Sequence, residues 1–118
     1  MDTPDTADPE LLDVVVVGAG PAGLCMTRRL AETDARFTVL ERNADVGGIW
    51  DIDAPGSPMY ESAHFISSKT LSGFPDLPMP EDYPDYPNHR QILAYIRSYA
   101  DRFDLRSHIQ FDTGVVHA

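Results

Sequence analysis

The first apolar run, residues 11–17, carries four consecutive β-branched residues, Val14, Val15, Val16 and Val17. It lacks the regular polar alternation of a half-exposed strand, so it predicts a strand buried on both faces, as a parallel sheet requires. Gly18 ends it. From Pro21 the period becomes helical, with Ala22, Gly23, Met26 and Leu30 on one stripe and Arg28, Arg29 and Glu32 outside it. Residues 37–41 predict a second strand, which gives strand, glycine turn, helix and strand within ~30 residues. Residues 51–87 show no period and hold seven of the ten prolines, so long regular elements are not expected there. An irregular connection of that length is uncommon unless it folds over something. A second helix follows, with Ile92, Tyr95, Ile96, Tyr99, Ala100 and Phe103 recurring at three and four. Asn88 is its expected N-cap and Gln91 completes a capping box. Residues 109–111 predict a third strand, and residues 115–116 the start of a hairpin. The expected fold class is α/β, a Rossmann-like βαβ unit with a parallel sheet.

Composition narrows the function classes. At 118 residues the chain is one domain at most, and a doubly wound nucleotide domain usually needs more strands than fit, so an incomplete domain is expected. Lys+Arg 9 against Asp+Glu 19 gives a net charge of −10, which argues against nucleic acid and anionic membranes as partners. A single dinucleotide stays compatible, because backbone amides at a helix N-terminus supply local positive potential. Residues 1–10 are acidic, with Pro4 and Pro9, and predict a disordered tail rather than a signal peptide. Cys25 is the single cysteine, so no internal disulfide forms, and a reducing, cytoplasmic setting is expected.

The chemistry is carried by Gly18-Ala19-Gly20-Pro21-Ala22-Gly23, a G-x-G-x-x-G between a strand and a helix. Gly18 permits the tight turn, Gly20 lets the backbone approach a pyrophosphate, and Gly23 lets helix and strand pack closely. Pro21 suits the first helical turn, where its missing amide costs nothing. Glu41 closes the second strand 21 residues after Gly20, where a carboxylate accepts the hydroxyls of an adenosine ribose and repels a 2′-phosphate. Beyond it, Arg42 leads to the double glycine Gly47-Gly48, then Ile49 and Trp50. Paired glycines allow close contact with a second stretch of a long ligand such as FAD.

Together with the segments ERNADVGGIW, MYESAHFISSK, GFPDLPMPEDYPDYPNHRQILAYIRSYA and LRSHIQFDTGV, the opening GAGPAG makes the chain resemble the flavin-containing monooxygenases and their Baeyer–Villiger-like relatives. The resemblance covers nearly everything after the tail. It implies that residues 11–118 are the N-terminal part of an FAD/NAD(P)-binding domain, with NADPH bound by a second Rossmann unit outside this chain. FAD would activate O2 for transfer to a small-molecule amine, sulfide or ketone. Gly18, Ala19, Gly20, Pro21, Ala22, Gly23, Glu41 and Arg42 would hold the ADP half; Gly48, Ile49 and Trp50 would lie along the flavin half, with Ser67 and Ser68 near the ring. A further C-terminal segment or a homo-oligomer would complete the fold.

One departure from the family pattern stands out. Ile66 occupies the place of an asparagine in an N-[ST]-S-K pattern, and isoleucine offers no hydrogen bond there. No catalytic residue is therefore assigned. His64 is a candidate substitute donor. Cys25 is expected in the core, Lys69 exposed, and Tyr60, Tyr83 and Tyr86 as anchors of the proline-rich segment. His89 and His108 show no metal-ligand spacing, and no metal is expected. The rival functions are a flavin or NAD reductase without oxygenation, and a non-catalytic dinucleotide-binding fragment.

Overall fold

The computed structural model describes residues 11–118; the predicted acidic tail lies outside them. The elements run β1 (Val14–Val17), α1 (Pro21–Leu30), β2 (Phe37–Leu40), a 3-10 turn (Gly48–Trp50), α2 (Lys69–Ser72), α3 (His89–Arg102), a second 3-10 turn (Leu105–His108) and β3 (Ile109–Gln110). The fold is α/β, with three parallel strands in the order β1-β2-β3. Val14 pairs with Phe37, and Val16 with Val39, which in turn faces Ile109. That row forms the core face. Leu24 of α1 and Ile92, Tyr95, Ile96, Tyr99 and Ala100 of α3 pack in the same cluster, closed by Leu105.

The expectation of a first strand buried on both faces is corrected. β1 is shorter than the predicted run, covering only Val14–Val17, and alternates, with Val15 and Val17 50% and 64% exposed. Among the described residues nothing packs over that second face, where Thr38 receives a hydrogen bond from Gln110 Nε2 at 3.0 Å. The stripe predicted for α1 also shifts: Met26 is exposed, while Leu24 and Thr27 are fully buried. The cause is the close approach of Gly23 to β1, which turns its own side of the helix inward. Thr27, four residues on, returns its hydroxyl to Gly23 O at 2.7 Å instead of leaving it unsatisfied in the core.

α3 forms as the apolar spacing predicts. Asn88 caps it, accepting from Gln91 N at 2.9 Å, and the Gln91 side chain accepts from Asn88 N at 3.0 Å. The proline-rich stretch wraps over this helix. Tyr95 OH accepts from Phe74 N at 2.7 Å and donates to Leu77 O; Tyr83 OH donates to Gln91 O at 2.9 Å. Tyr83 is thus an anchor as expected, whereas Tyr60 and Tyr86 are exposed. Lys69, expected to be exposed, is half-buried and donates to the carbonyls of Glu81 and Tyr83, replacing amide donors that the prolines lack. Residues 115–116 form no strand. Asp112 turns the chain at φ 54°, and Thr113 N donates to Glu41 O, so the exit runs across the tip of β2. Among the described residues, no helix is long and apolar enough to cross a membrane.

Candidate functional site

A crevice of about 340 Å³ opens at the carboxyl ends of β1 and β2, where parallel sheets place their ligands. Gly18, Gly20, Glu41, Arg42, Gly48 and Ile49 line it, all predicted from the sequence. Gly18 takes φ +100°, which a side chain rarely adopts. A Cβ on Gly23 would lie 1.9 Å from Gly18 O, so the turn and the helix can meet only if residue 23 is glycine. Gly20 serves another purpose: its missing Cβ would stand 3.5 Å from Gly48 Cα, in the gap between the two glycine turns. Gly47 N donates to Ala19 O at 3.1 Å and ties those turns together.

Gly20 is the N-cap of α1 and carries no side chain to satisfy the first-turn amides. Pro21 has none to offer, and Ala22 and Gly23 have no carbonyl one turn behind them within the helix. These donors and the helix dipole face the crevice end of α1, an arrangement suited to an anion.

Glu41 is 4% exposed and lines the same crevice. Its Oε1 accepts from Ala19 N at 2.7 Å and its Oε2 from Asn43 N at 2.9 Å. Each oxygen keeps a further acceptor site for a hydroxyl. Its main chain is held too: Glu41 N donates to Gln110 O, and Thr113 N to Glu41 O, both at 2.9 Å. The sequence spacing identifies this carboxylate but gives no sign of the four bonds that fix it.

The remaining predicted residues lie elsewhere. Ala19 is buried behind the turn, and Ala22 is exposed on α1. Trp50 leaves the crevice for an apolar hollow of about 130 Å³ shared with Pro21, Cys25, Phe65, Tyr95 and Ile96, its ring 5.2 Å edge-on from that of Phe65. Ser67 and Ile66 stand on the exposed wrap outside the crevice; Ile66 is 94% exposed, and Ser67 Oγ meets Ser72 Oγ at 2.5 Å. His64 Nδ1 lies 2.7 Å from Phe65 O. His89 is buried beside Glu61 at 3.4 Å, and His108 stacks on Phe37. No metal-binding group of acidic, histidine or cysteine residues occurs among the described residues.

Sequence reasoning missed the far wall of the crevice, formed by Asn43, Ala54, Gly56, Ser57, Thr113 and Val115. Pro55-Gly56-Ser57-Pro58 signals a turn, but nothing local tells where that turn packs.

The chain matches known proteins in sequence and in fold. The family described as FMO-like, flavin-binding monooxygenase-like, matches residues 12–118. Human flavin-containing monooxygenase 1 is 40% identical over 106 residues, covering 86% of this chain and 20% of the relative. A steroid monooxygenase solved in its oxidised form bound to NADP superimposes with a TM-score of 0.72 at 33% identity, over 86% of this chain and 19% of that one. OTEMO in an FAD-bound form gives a TM-score of 0.77 at 26% identity, over 88% and 19%. The chain therefore spans about a fifth of the length of the relatives it matches.

Proposed function

Because the chain belongs to the flavin-binding monooxygenase-like family, we propose that residues 11–118 are the FAD-binding segment of an NADPH-dependent monooxygenase acting on a small-molecule amine, sulfide or ketone. The crevice between the two glycine turns, with the Glu41 carboxylate at its wall, is the observation that carries this reading. Bound FAD would supply the redox chemistry, taking electrons from NADPH and delivering one atom of O2 to the substrate.

The chain's own contribution is binding and orientation. The amides of the first turn of α1 receive the pyrophosphate, and the helix dipole adds about 0.5–1 kcal/mol. Gly20 keeps side-chain bulk out of its path. Glu41, pinned by Ala19 N and Asn43 N, presents fixed acceptors to the ribose hydroxyls, so their orientation needs no reordering of the protein. Arg42 stands exposed at the rim.

Gly20→Val tests the reading, because its methyl groups would fill the space facing Gly48. The expected outcome is a folded protein without flavin absorbance; undiminished flavin per protein would remove the crevice as the site. A reductase without oxygenation is the second reading, favoured by Ile66 standing fully in solvent with no hydrogen bond to give. Product analysis during NADPH oxidation separates the two: oxygenated substrate supports the first, and hydrogen peroxide alone supports the second.

A further inference from the structure

The double-glycine turn is gripped from behind by α3. Arg97 Nε lies 3.2 Å from both Val46 O and Asp45 Oδ2, and its Nη2 reaches Asp51 Oδ2 at 2.9 Å. One planar guanidinium thereby spans the turn, holding the chain before Gly47 and again after Trp50. Leu93, one helical turn earlier, packs on the same place, so tightly that a Cβ on Gly47 would come 2.5 Å from its Cδ1. On the far side Arg106 Nη2 holds Asp45 Oδ1 at 2.9 Å. Gly47 and Gly48 adopt φ of +137° and +60° within this clasp. Their placement delivers the Gly47 amide to Ala19 O and sets Gly48 against Gly20, where an added Cβ would come 3.0 Å from Gly20 Cα.

We propose that Arg97 is a positioning residue for the dinucleotide: it sets the width of the gap between the two glycine turns without lining the crevice itself. This rests on the FAD reading above. Salt bridges as exposed as these contribute little to global stability. The fork matters for geometry instead, since it ties entry and exit of one turn to one rigid helix. Lysine, a point charge on a flexible stem, reaches one side of the turn but not both.

The test compares Arg97→Met and Arg97→Lys with Arg90→Met, on the same helix but paired, among the described residues, with Glu61. FAD dissociation constants are measured on the purified protein, and backbone amide exchange is measured without ligand. Arg97→Met is expected to weaken FAD binding about tenfold, Arg97→Lys by less, and Arg90→Met not at all. In the ligand-free protein, Arg97→Met should speed exchange at the Gly47 amide while the amides of α3 keep their protection. Equal FAD affinity in Arg97→Met, or unchanged Gly47 exchange, overturns the inference. So does an equal loss of protection throughout α3, which marks a general structural role. If the wild-type protein itself fails to hold FAD, the functional reading falls, and the exchange comparison still decides whether Arg97 holds the turn. Should Arg97→Met fail to fold, Asp51→Asn removes one half of the grip and is judged by the same two measurements.

Discussion

Glutamine at position 41 keeps the shape of the side chain but turns one acceptor into a donor facing a backbone amide. With Ala19 N at 2.7 Å and Asn43 N at 2.9 Å, one of the two amides loses its partner. Glu41→Gln should therefore cost about 1–3 kcal/mol even without ligand, read as a shift of the urea midpoint. Asp45 gives the molecule an acid-sensitive point. Burial pushes its carboxyl up, but the Val46 amide, Arg106 and Arg97 outweigh that and hold it below its ordinary value. A carboxyl with a lowered folded pKa stabilises the protein above its unfolded pKa, about 3.9, and the benefit fades as pH falls through the folded value. Asp45→Asn should flatten the fall of the melting temperature below about pH 4, and an unchanged acid limb would deny Asp45 that role. At this scale the sequence was informative where chemistry depends on spacing, as with Gly18, Gly20, Gly23 and Glu41. It misled at Lys69, expected to be exposed, and gave no sign of Arg97, because both roles depend on distant partners.

Among the elements, α3 is the most autonomous and was the most legible, because its period, N-cap and capping box are all local. Asn88→Ala should lower stability by about 1 kcal/mol in chemical denaturation. The wrap is its opposite: it has almost no internal hydrogen-bond ladder and depends on α3 for anchorage. Tyr95→Phe removes one hydroxyl that serves both Phe74 N and Leu77 O. Two backbone groups lose their partner, so a cost of about 1–3 kcal/mol is expected, with earlier proteolytic cleavage around residues 74–81. Proline count located this segment but could not show which tyrosines secure it; Tyr83 and the helix-borne Tyr95 do so, while Tyr60 and Tyr86 face water. Met26 was misplaced for a related reason. A hydrophobic stripe is read from side-chain character, whereas α1 is oriented by the absence of a side chain at Gly23.

Across the whole molecule, β2 stands in the middle of the sheet and β1 at its edge, with the apolar Val15 and Val17 open to solvent. The run of valines correctly announced a strand, yet burial of its second face depends on what else covers the sheet, and the described residues provide nothing there. Val15→Lys, at the exposed position that does not border the crevice, should reduce binding of an apolar-surface dye and concentration-dependent light scattering, with little change in flavin binding; unchanged signals would locate the sticky surface elsewhere. Glu41 lies where three distant stretches cross, the glycine turn through Ala19, its own strand, and the exit of β3 through Gln110 and Thr113. Under the proposed role of Glu41, redesigning which sugar the crevice accepts means editing a keystone, because Ala19 N and Asn43 N then need new acceptors. A substitution at this one position is therefore felt in the turn and in the strand exit at once, and is best tolerated when its neighbours change in step.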